Sequence, residues 1–501
     1  MADPSPSRTV AFNAVARGGG EVFAKLASVV FFLAVARDLG AGDFGDLMFA
    51  LSFTTVLTLP SGFGTEELIA RDVARDRERV HEYAANVMAI KVVLTVLLLA
   101  LAELIVVAGG YSHDVKLTVL VVGLSVGIEN LGRTWGAVLQ AYQRMEFISV
   151  SLIVQRVLTA AAGVAVLVAG GGLLAVSFVM LGSALIGFAV LTVLMNRRVV
   201  RILPRIDRTR WAGLVKAGVP VGAVGVMMVA LVKIDQTLIS FLSDGGNEEV
   251  GYYGAAFRLI EATMFIGWSF SAAMLPWFSS QEGGRERLAK GFELGTKATA
   301  VVLVPVGLAF VLFAEPIIEL LYGSEYAAAV APLRYLGAMV VFLGINDLAA
   351  VLVIARERPL AFAGSAGAVL LGNVALNFVL IPAYGASGAA FTAALSAFML
   401  FVLGFVLVRS LTGGVRLARS LAGPFLAGAP AAAVVLVIGL PAIPAGIAGL
   451  VVYALVLVGF ERLVYRDDLE TFRSVVRRRG RVEGDGAAVA AATVESTMER
   501  Q

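Results

Sequence analysis

The sequence predicts an all-α integral membrane protein of fourteen transmembrane helices, and three observations carry that prediction. Hydrophobic residues make up 59% of the 501 and charged residues only 15%, with a mean hydropathy of +0.87. A soluble domain averages roughly 45–50% apolar and about 25% charged, so this chain cannot cover its surface with polar groups. Apolar stretches of the ~20 residues that a bilayer core demands recur along the whole chain. The loops between them alternate between strongly basic and almost free of Lys and Arg, the charge asymmetry of a polytopic membrane protein.

The elements follow in order. Residues 1–8 are polar with two prolines and read as disordered. The next stretch carries Arg17, Glu21 and Lys25 where a signal peptide would have an apolar core and a small-residue cleavage site, so it reads as an uncleaved first span. Cutting at polar and Gly/Pro punctuation places the spans near 11–36, 44–64, 84–108, 116–140, 147–169, 173–195, 213–242, 250–279, 294–314, 330–353, 359–381, 387–408, 421–440 and 444–463. With the N-terminus inside, the inside loops hold Arg71, Arg75, Arg77 and Arg79, then Arg144, then Arg197 to Arg210, Arg285, Arg287 and Lys290, Arg356 and Arg358, and Arg409 to Arg419. The outside loops hold only Arg37 and Lys116, at span ends. A missed span would invert this pattern downstream, so both termini are expected in the cytoplasm and the protein in the cytoplasmic membrane. The stretch 461–481 reads as a basic surface helix near anionic headgroups, and the tail beyond 483 as disordered.

Composition also excludes chemistry. The net charge of +3, from 40 basic and 37 acidic residues, argues against a nucleic-acid partner. Cysteine is absent, and His81 and His113 are the only histidines, so no thiolate or histidine metal site, no other metal site and no cofactor is expected. The Gly18-Gly19-Gly20 run lies inside a span without a following Lys-Ser/Thr, and close helix packing explains it better than phosphate binding.

An internal repeat divides the chain. Phe44-Gly45-Asp46-Leu47 aligns with Val250-Gly251-Tyr252-Tyr253, in each case after a polar-punctuated helix and a short outside turn, and this sets the halves 206 residues apart. The expected organisation is 9–208 (spans 1–6), 209–410 (spans 7–12), 411–465 (spans 13 and 14) and a basic tail from 466 to 501. Duplicated halves are how many transporters build a site at the repeat interface.

Charges inside spans are costly and are functional candidates by default. Span 1 carries Asn13, Arg17, Glu21 and Lys25 four apart on one face; span 4 carries Glu129 and Arg133; span 8 carries Arg258 and Glu261; span 7 carries Lys233 and Asp235. Lys91 and Arg156 have no acidic residue within a turn, which leaves a functional role or a partner on a neighbouring helix. The same-helix pairs either staple the bundle or serve a site. Lys25, Lys233, Asp235, Arg258 and Glu261 form a tier nearer the outer surface, and Lys91, Arg133 and Arg156 one nearer the inner. Lys216, Lys297 and Arg334 read as snorkelling edge residues, and Glu103 and Asp347 as lone acids.

An ordered series of short motifs resembles the polysaccharide-type flippases of the multidrug/oligosaccharidyl-lipid/polysaccharide exporter superfamily. It comprises Asn13, Ala36-Arg37-Asp38-Leu39-Gly40 with Phe44-Gly45, Glu67-Leu68-Ile69-Ala70-Arg71, Lys233-Ile234-Asp235, Val250-Gly251-Tyr252-Tyr253, Met274-Leu275-Pro276, Tyr322-Gly323-Ser324-Glu325-Tyr326, Asn377-Phe378, Ile381-Pro382-Ala383-Tyr384-Gly385 and Gly388-Ala389-Ala390. The resemblance implies two six-helix lobes around a V-shaped cleft, as in MATE-type transporters, plus two C-terminal helices. It also implies alternating access and export of a lipid-linked saccharide for cell-surface polysaccharide biosynthesis.

On that reading Arg17, Lys25, Lys91, Arg133, Arg156, Lys233 and Arg258 would bind a polyanionic lipid-diphosphate head, since Arg offers a planar fork and Lys a point charge. Glu21, Glu129, Asp235 and Glu261 are the candidates for carrying a coupling H⁺ or Na⁺. Tyr252, Tyr253 and Trp268 either stack on sugars or serve as packing and interfacial belt. The expected partners are the lipid-linked saccharide, membrane lipids and polysaccharide polymerase or assembly proteins, with the chain itself a monomer. The rival readings are a multidrug cation antiporter of the same superfamily, a membrane glycosyltransferase or polymerase, and a passive scramblase or scaffold. Interior Arg and Lys speak against the antiporter; against the enzyme speak outside loops that are short and mostly apolar, with Glu315, Glu319 and Glu325 on the longest, about 315–329, and no carboxylate-rich metal motif.

Overall fold

The computed structural model describes residues 6–62, 64–202, 206–279 and 284–464, with side chains from residue 24 onward except at Val221 and Pro276. The described chain is helical without strands. Its helices are α1 (Pro6–Thr58), α2 (Thr65–Arg75), α3 (Val80–Ala108), α4 (His113–Ala141), α5 (Met145–Val168), α6 (Leu173–Arg198), α7 (Trp211–Leu242), α8 (Gly246–Ser279), α9 (Gly284–Leu312), α10 (Ala314–Tyr322), α11 (Val330–Ala355), α12 (Pro359–Thr412), α13 (Leu417–Ile438) and α14 (Ala442–Val464). Among the described residues, eleven helices are long and apolar enough to cross a membrane.

The predicted spans fall on these helices with one instructive difference. Spans 1 and 2 run together in α1 and spans 11 and 12 in α12, each pair separated only by a glycine with non-helical angles, Gly40 (φ 76°, ψ 176°) and Gly385 (φ 55°, ψ −136°). Positive φ is cheap only for glycine, so one residue does the work of a loop. The helix that restarts after each break has its first N–H capped by a carboxylate. Glu325 Oε1 accepts from Ala41 N at 3.1 Å, and Glu249 Oε2 accepts from Ala386 N at 2.7 Å. The expected outside loop 315–329 is also ordered, as α10 and a 3₁₀ turn over Ser324–Ala329.

Residues up to Val415 form one compact unit and the chain from Arg416 another. In the first, α1 packs on α5, α8 and α4, while α11 packs on α12, α8 and α9. In the second, α13 and α14 pack as an antiparallel pair, with Gly449 letting α14 approach Val435 and the Ala431 carbonyl. The predicted amphipathic stretch 461–481 and the tail lie outside the described residues from 465 onward.

Candidate functional site

The two repeats meet at a cavity of about 730 Å³. Its walls come from α1, α4, α5, α6, α7 and α8 together with the start of α2. Five of the predicted cations line it: Lys25, Arg133, Arg156, Lys233 and Arg258. Four carboxylates, Glu66, Glu67, Glu129 and Glu261, line it as well. Among the described residues the cations therefore exceed the acids by a single charge, less lopsided than the seven predicted basic residues suggested. Arg17 and Glu21 were also predicted here; their side chains lie outside the described residues.

The ion pairs are mostly between helices. Lys233 on α7 pairs with Glu261 on α8, and Arg258 Nη1 binds the other Glu261 oxygen at 2.7 Å. Arg258 also sits 3.6 Å over the Phe32 ring, and Lys233 5.0 Å over Phe257. Lys25 lies 5.4 Å over Phe265. Glu129 does not turn to Arg133, its neighbour one helical turn on. It instead accepts from Gln155 Nε2 at 2.5 Å and faces Arg156 Nη2 at 3.5 Å, both on α5. Arg133 is thus left in the cavity wall with no ion pair among the described residues. It is the cation most available to an incoming anion.

Other candidates sit elsewhere. Lys91 is fully buried outside the cavity wall, bound to Glu66 Oε1 at 2.6 Å and the Asn130 carbonyl at 3.3 Å. Its partner is on a neighbouring helix, and the pair ties α2 to α3. Asp235 is also buried, against α12: it accepts from Asn377 Nδ2 at 2.6 Å and from the Tyr253 hydroxyl at 3.2 Å. Tyr253 is therefore a core residue here, its ring stacked on Phe257, and it presents no face to a sugar in the cavity. Tyr252 bonds Glu248 and meets Tyr326 edge-on, away from the cavity wall. Trp268 is 46% exposed on α8 and does not line the cavity.

Beside Asp235 is a void of about 20 Å³, enough for one small occupant. Asn346 lines it, and the Oδ1 atoms of Asn346 and Asn377 have no donor. In the sequence Asp235 stood out as a site candidate, Asn377 only as part of the Asn377-Phe378 motif, and Asn346 and Asn373 not at all. Asn373 and Asn377 are spaced four apart on α12, which was the available signal.

The end of the cavity away from the basic loops is sealed. Gly45 on α1 and Gly251 on α8, aligned with each other in the repeat, pack reciprocally. A Cβ on Gly45 would lie 1.7 Å from the Asn247 carbonyl oxygen, and one on Gly251 2.1 Å from that of Ala41. A hydrogen-bonded chain crosses twice between the repeats, from Asp46 to Asn247 (2.5 Å), Ser240 (2.5 Å) and Tyr111 (2.8 Å). Arg37 Nε donates to the Leu321 carbonyl at 2.6 Å and the Tyr326 hydroxyl to that of Ala36 at 2.9 Å. Below them Phe49, Phe53, Tyr111 and Phe241 form an aromatic plug. At the basic-loop end the turn before α2 leans on α7, where Gly64 (φ +65°) meets Gly218 and Gly222 backbone.

Comparison with known proteins agrees with this architecture. Residues 12–282 match the polysaccharide biosynthesis protein family, and residues 223–379 match the MatE family. An uncharacterized membrane protein of Methanocaldococcus jannaschii is 23% identical over 163 residues, and the match spans only about a third (32%) of each chain. Among solved structures, the lipid II flippase MurJ in an inward closed conformation superposes with a TM-score of 0.74 at 14% identity, covering 90% of this chain and 99% of that one. An inward-facing multidrug MATE transporter gives 0.66 at 15% identity over 78% and 96%. An outward-facing one gives 0.61 at 15% over 82% and 96%. These likenesses establish the fold, and the first family match covers more than half of the sequence. The chain belongs to the polysaccharide biosynthesis protein family, within the multidrug/oligosaccharidyl-lipid/polysaccharide exporter superfamily.

Proposed function

We propose that this protein is a flippase that moves a lipid-linked oligosaccharide, carried on a polyprenyl phosphate or diphosphate, from the cytoplasmic to the outer leaflet for cell-surface polysaccharide synthesis. The observation that carries this reading is the cavity between the repeats, with five Lys and Arg side chains in its wall and its far end sealed. A phosphate head entering there meets Arg133 first and then competes with Glu129 for Arg156 and with Glu261 for Arg258 and Lys233. While the cavity is empty these carboxylates keep Arg156, Arg258 and Lys233 paired, so none of the three waits for substrate as a bare buried charge.

On this reading the basic loops face the cytoplasm of the cytoplasmic membrane and both termini are inside. The cycle resets through a cation at Asp235, where the buried carboxylate and the free Asn346 oxygen line a void of about 20 Å³. Oxygen donors of this kind suit Na⁺, and a proton is the other candidate. The protein works as a monomer that hands its product to a polymerase or assembly protein.

The test is translocation of a fluorescent polyprenyl-diphosphate oligosaccharide in liposomes, with and without a pH or Na⁺ gradient. Arg133→Ala, Arg156→Ala and Arg258→Ala are each expected to slow transport about tenfold or more, the worth of one charge-assisted phosphate contact. Asp235→Asn is expected to abolish the dependence on a gradient. Four carboxylates in the cavity also favour a second reading, a cation antiporter. Uptake of a cationic dye with no lipid movement would establish that reading and reject the flippase.

A further inference from the structure

A second hollow lies outside the central cavity and shares no residue with it. Between α3 and α7 runs a groove of about 550 Å³, lined by Ile90, Val93, Leu94, Trp211, Val215 and Lys216. Because α3 belongs to the first repeat and α7 to the second, an occupant here would bridge the two halves.

The groove has a preformed wall. Asn86 is fully buried on α3, and its Oδ1 accepts from Trp211 Nε1 at 3.1 Å and from the Asp207 backbone N–H at 2.8 Å. The indole N–H is thereby already engaged, and the ring contributes carbon surface to a slot whose other walls are aliphatic. Val93 is 45% exposed, so the apolar surface is left uncovered by the protein itself.

One rim of the groove is cationic. Lys216 is exposed in the second turn of α7 and makes no ion pair among the described residues. Helical side chains lean toward the helix N-terminus, so its stem carries the ammonium toward the basic-loop interface. The Arg208 guanidinium lies 5.9 Å over the Trp211 ring at that same level. Arg210 next to it is different, being already paired with Glu82 and Asp207.

An aliphatic slot with an aromatic wall and two uncommitted cations at the membrane interface is complementary to one class of molecule. We propose that the α3–α7 groove binds an anionic diacyl phospholipid, with an acyl chain against α3 and α7 and the phosphate head on Lys216 and Arg208. Each such cation favours a net-anionic over a zwitterionic headgroup about fivefold.

Brominated lipid chains quench nearby indoles, and this reads the site directly. The full chain, with Trp135, Trp268 and Trp277 replaced by Phe, keeps Trp211 as its only tryptophan. It is reconstituted in vesicles containing matched mole fractions of bromo-chain phosphatidylglycerol or bromo-chain phosphatidylcholine. Phosphatidylglycerol is expected to quench Trp211 saturably and about 25-fold more effectively than phosphatidylcholine, the product of the two cations. Lys216→Gln is expected to cut that preference to about fivefold and Lys216→Arg to keep it. Equal quenching by the two lipids, or none by either, overturns the proposal. Native mass spectrometry of the unsubstituted chain, comparing phosphatidylglycerol retention with that of Lys216→Gln, gives the same decision without tryptophan replacement.

Discussion

Lys91 shows how a residue-scale expectation fares once neighbours are known. A fully buried ammonium is tolerable only with a partner, and Glu66 supplies it at 2.6 Å from the start of α2. Lys91→Met should leave Glu66 without its partner and cost about 3 kcal/mol, read as a fall in melting temperature of the detergent-solubilised protein. Adding Glu66→Gln should recover a good part of that loss, and a double-mutant cycle measures how much. The sequence showed that such charges exist inside spans. It could not show their pairing, because spacing along one helix sees only same-helix partners. The spacing rule succeeds for Arg258 and Glu261, three apart and bonded at 2.7 Å. It fails for Glu129, whose partner Arg156 lies on α5.

The helix α2, whose Leu68, Ile69 and Val73 are buried, also makes polar contacts toward both of its ends. One end is held by the Glu66–Lys91 pair, and the other by Asp72, which accepts from Arg71 Nε at 2.7 Å and from the Tyr83 hydroxyl at 3.0 Å. Arg79 in turn donates to that hydroxyl at 2.9 Å. The Arg71 hydrogen bond first, and the Tyr83 bond after it, hold the Asp72 carboxyl below its ordinary value of 3.8. A lowered carboxyl pKa stabilises the native state above the ordinary value, and the benefit is lost as pH falls through the lowered one. Amide exchange over 65–75 should therefore be independent of this group at neutral pH and rise only below about pH 4. Asp72→Asn should raise it at neutral pH, and the difference from the native chain should vanish as the carboxyl protonates. Helix boundaries were legible from punctuation, and even the breaks at Gly40 and Gly385 were marked by glycine. What punctuation could not reveal is that Glu325 and Glu249 cap the restarted helices from distant parts of the chain.

For the whole molecule, the decisive contact is between the repeats at the sealed end. Gly45 and Gly251 allow backbone-to-backbone approach that no other residue permits, since a Cβ at either would overlap a carbonyl oxygen. The natural chain has no cysteine, so single-cysteine labelling needs no background removal. A Val229→Cys probe in the cavity wall should react with a membrane-impermeant maleimide from the basic-loop side and resist it from the other. Adding Gly251→Ala should make the probe reactive from the other side as well. Unchanged protection would mean that the glycine contact does not hold that end shut.

What the sequence determined by itself was the all-helical membrane class and the apolar spans. These follow from transfer free energies and periodicity, which are local properties of a chain in a bilayer. Only the tertiary structure decided which charges share the cavity, that Lys91 and Tyr253 are core, that Asp235 keeps company with asparagines, and that two repeat-related glycines meet. Each of those depends on side chains brought together from distant helices, and a buried charge takes its role from whichever partner the packing supplies.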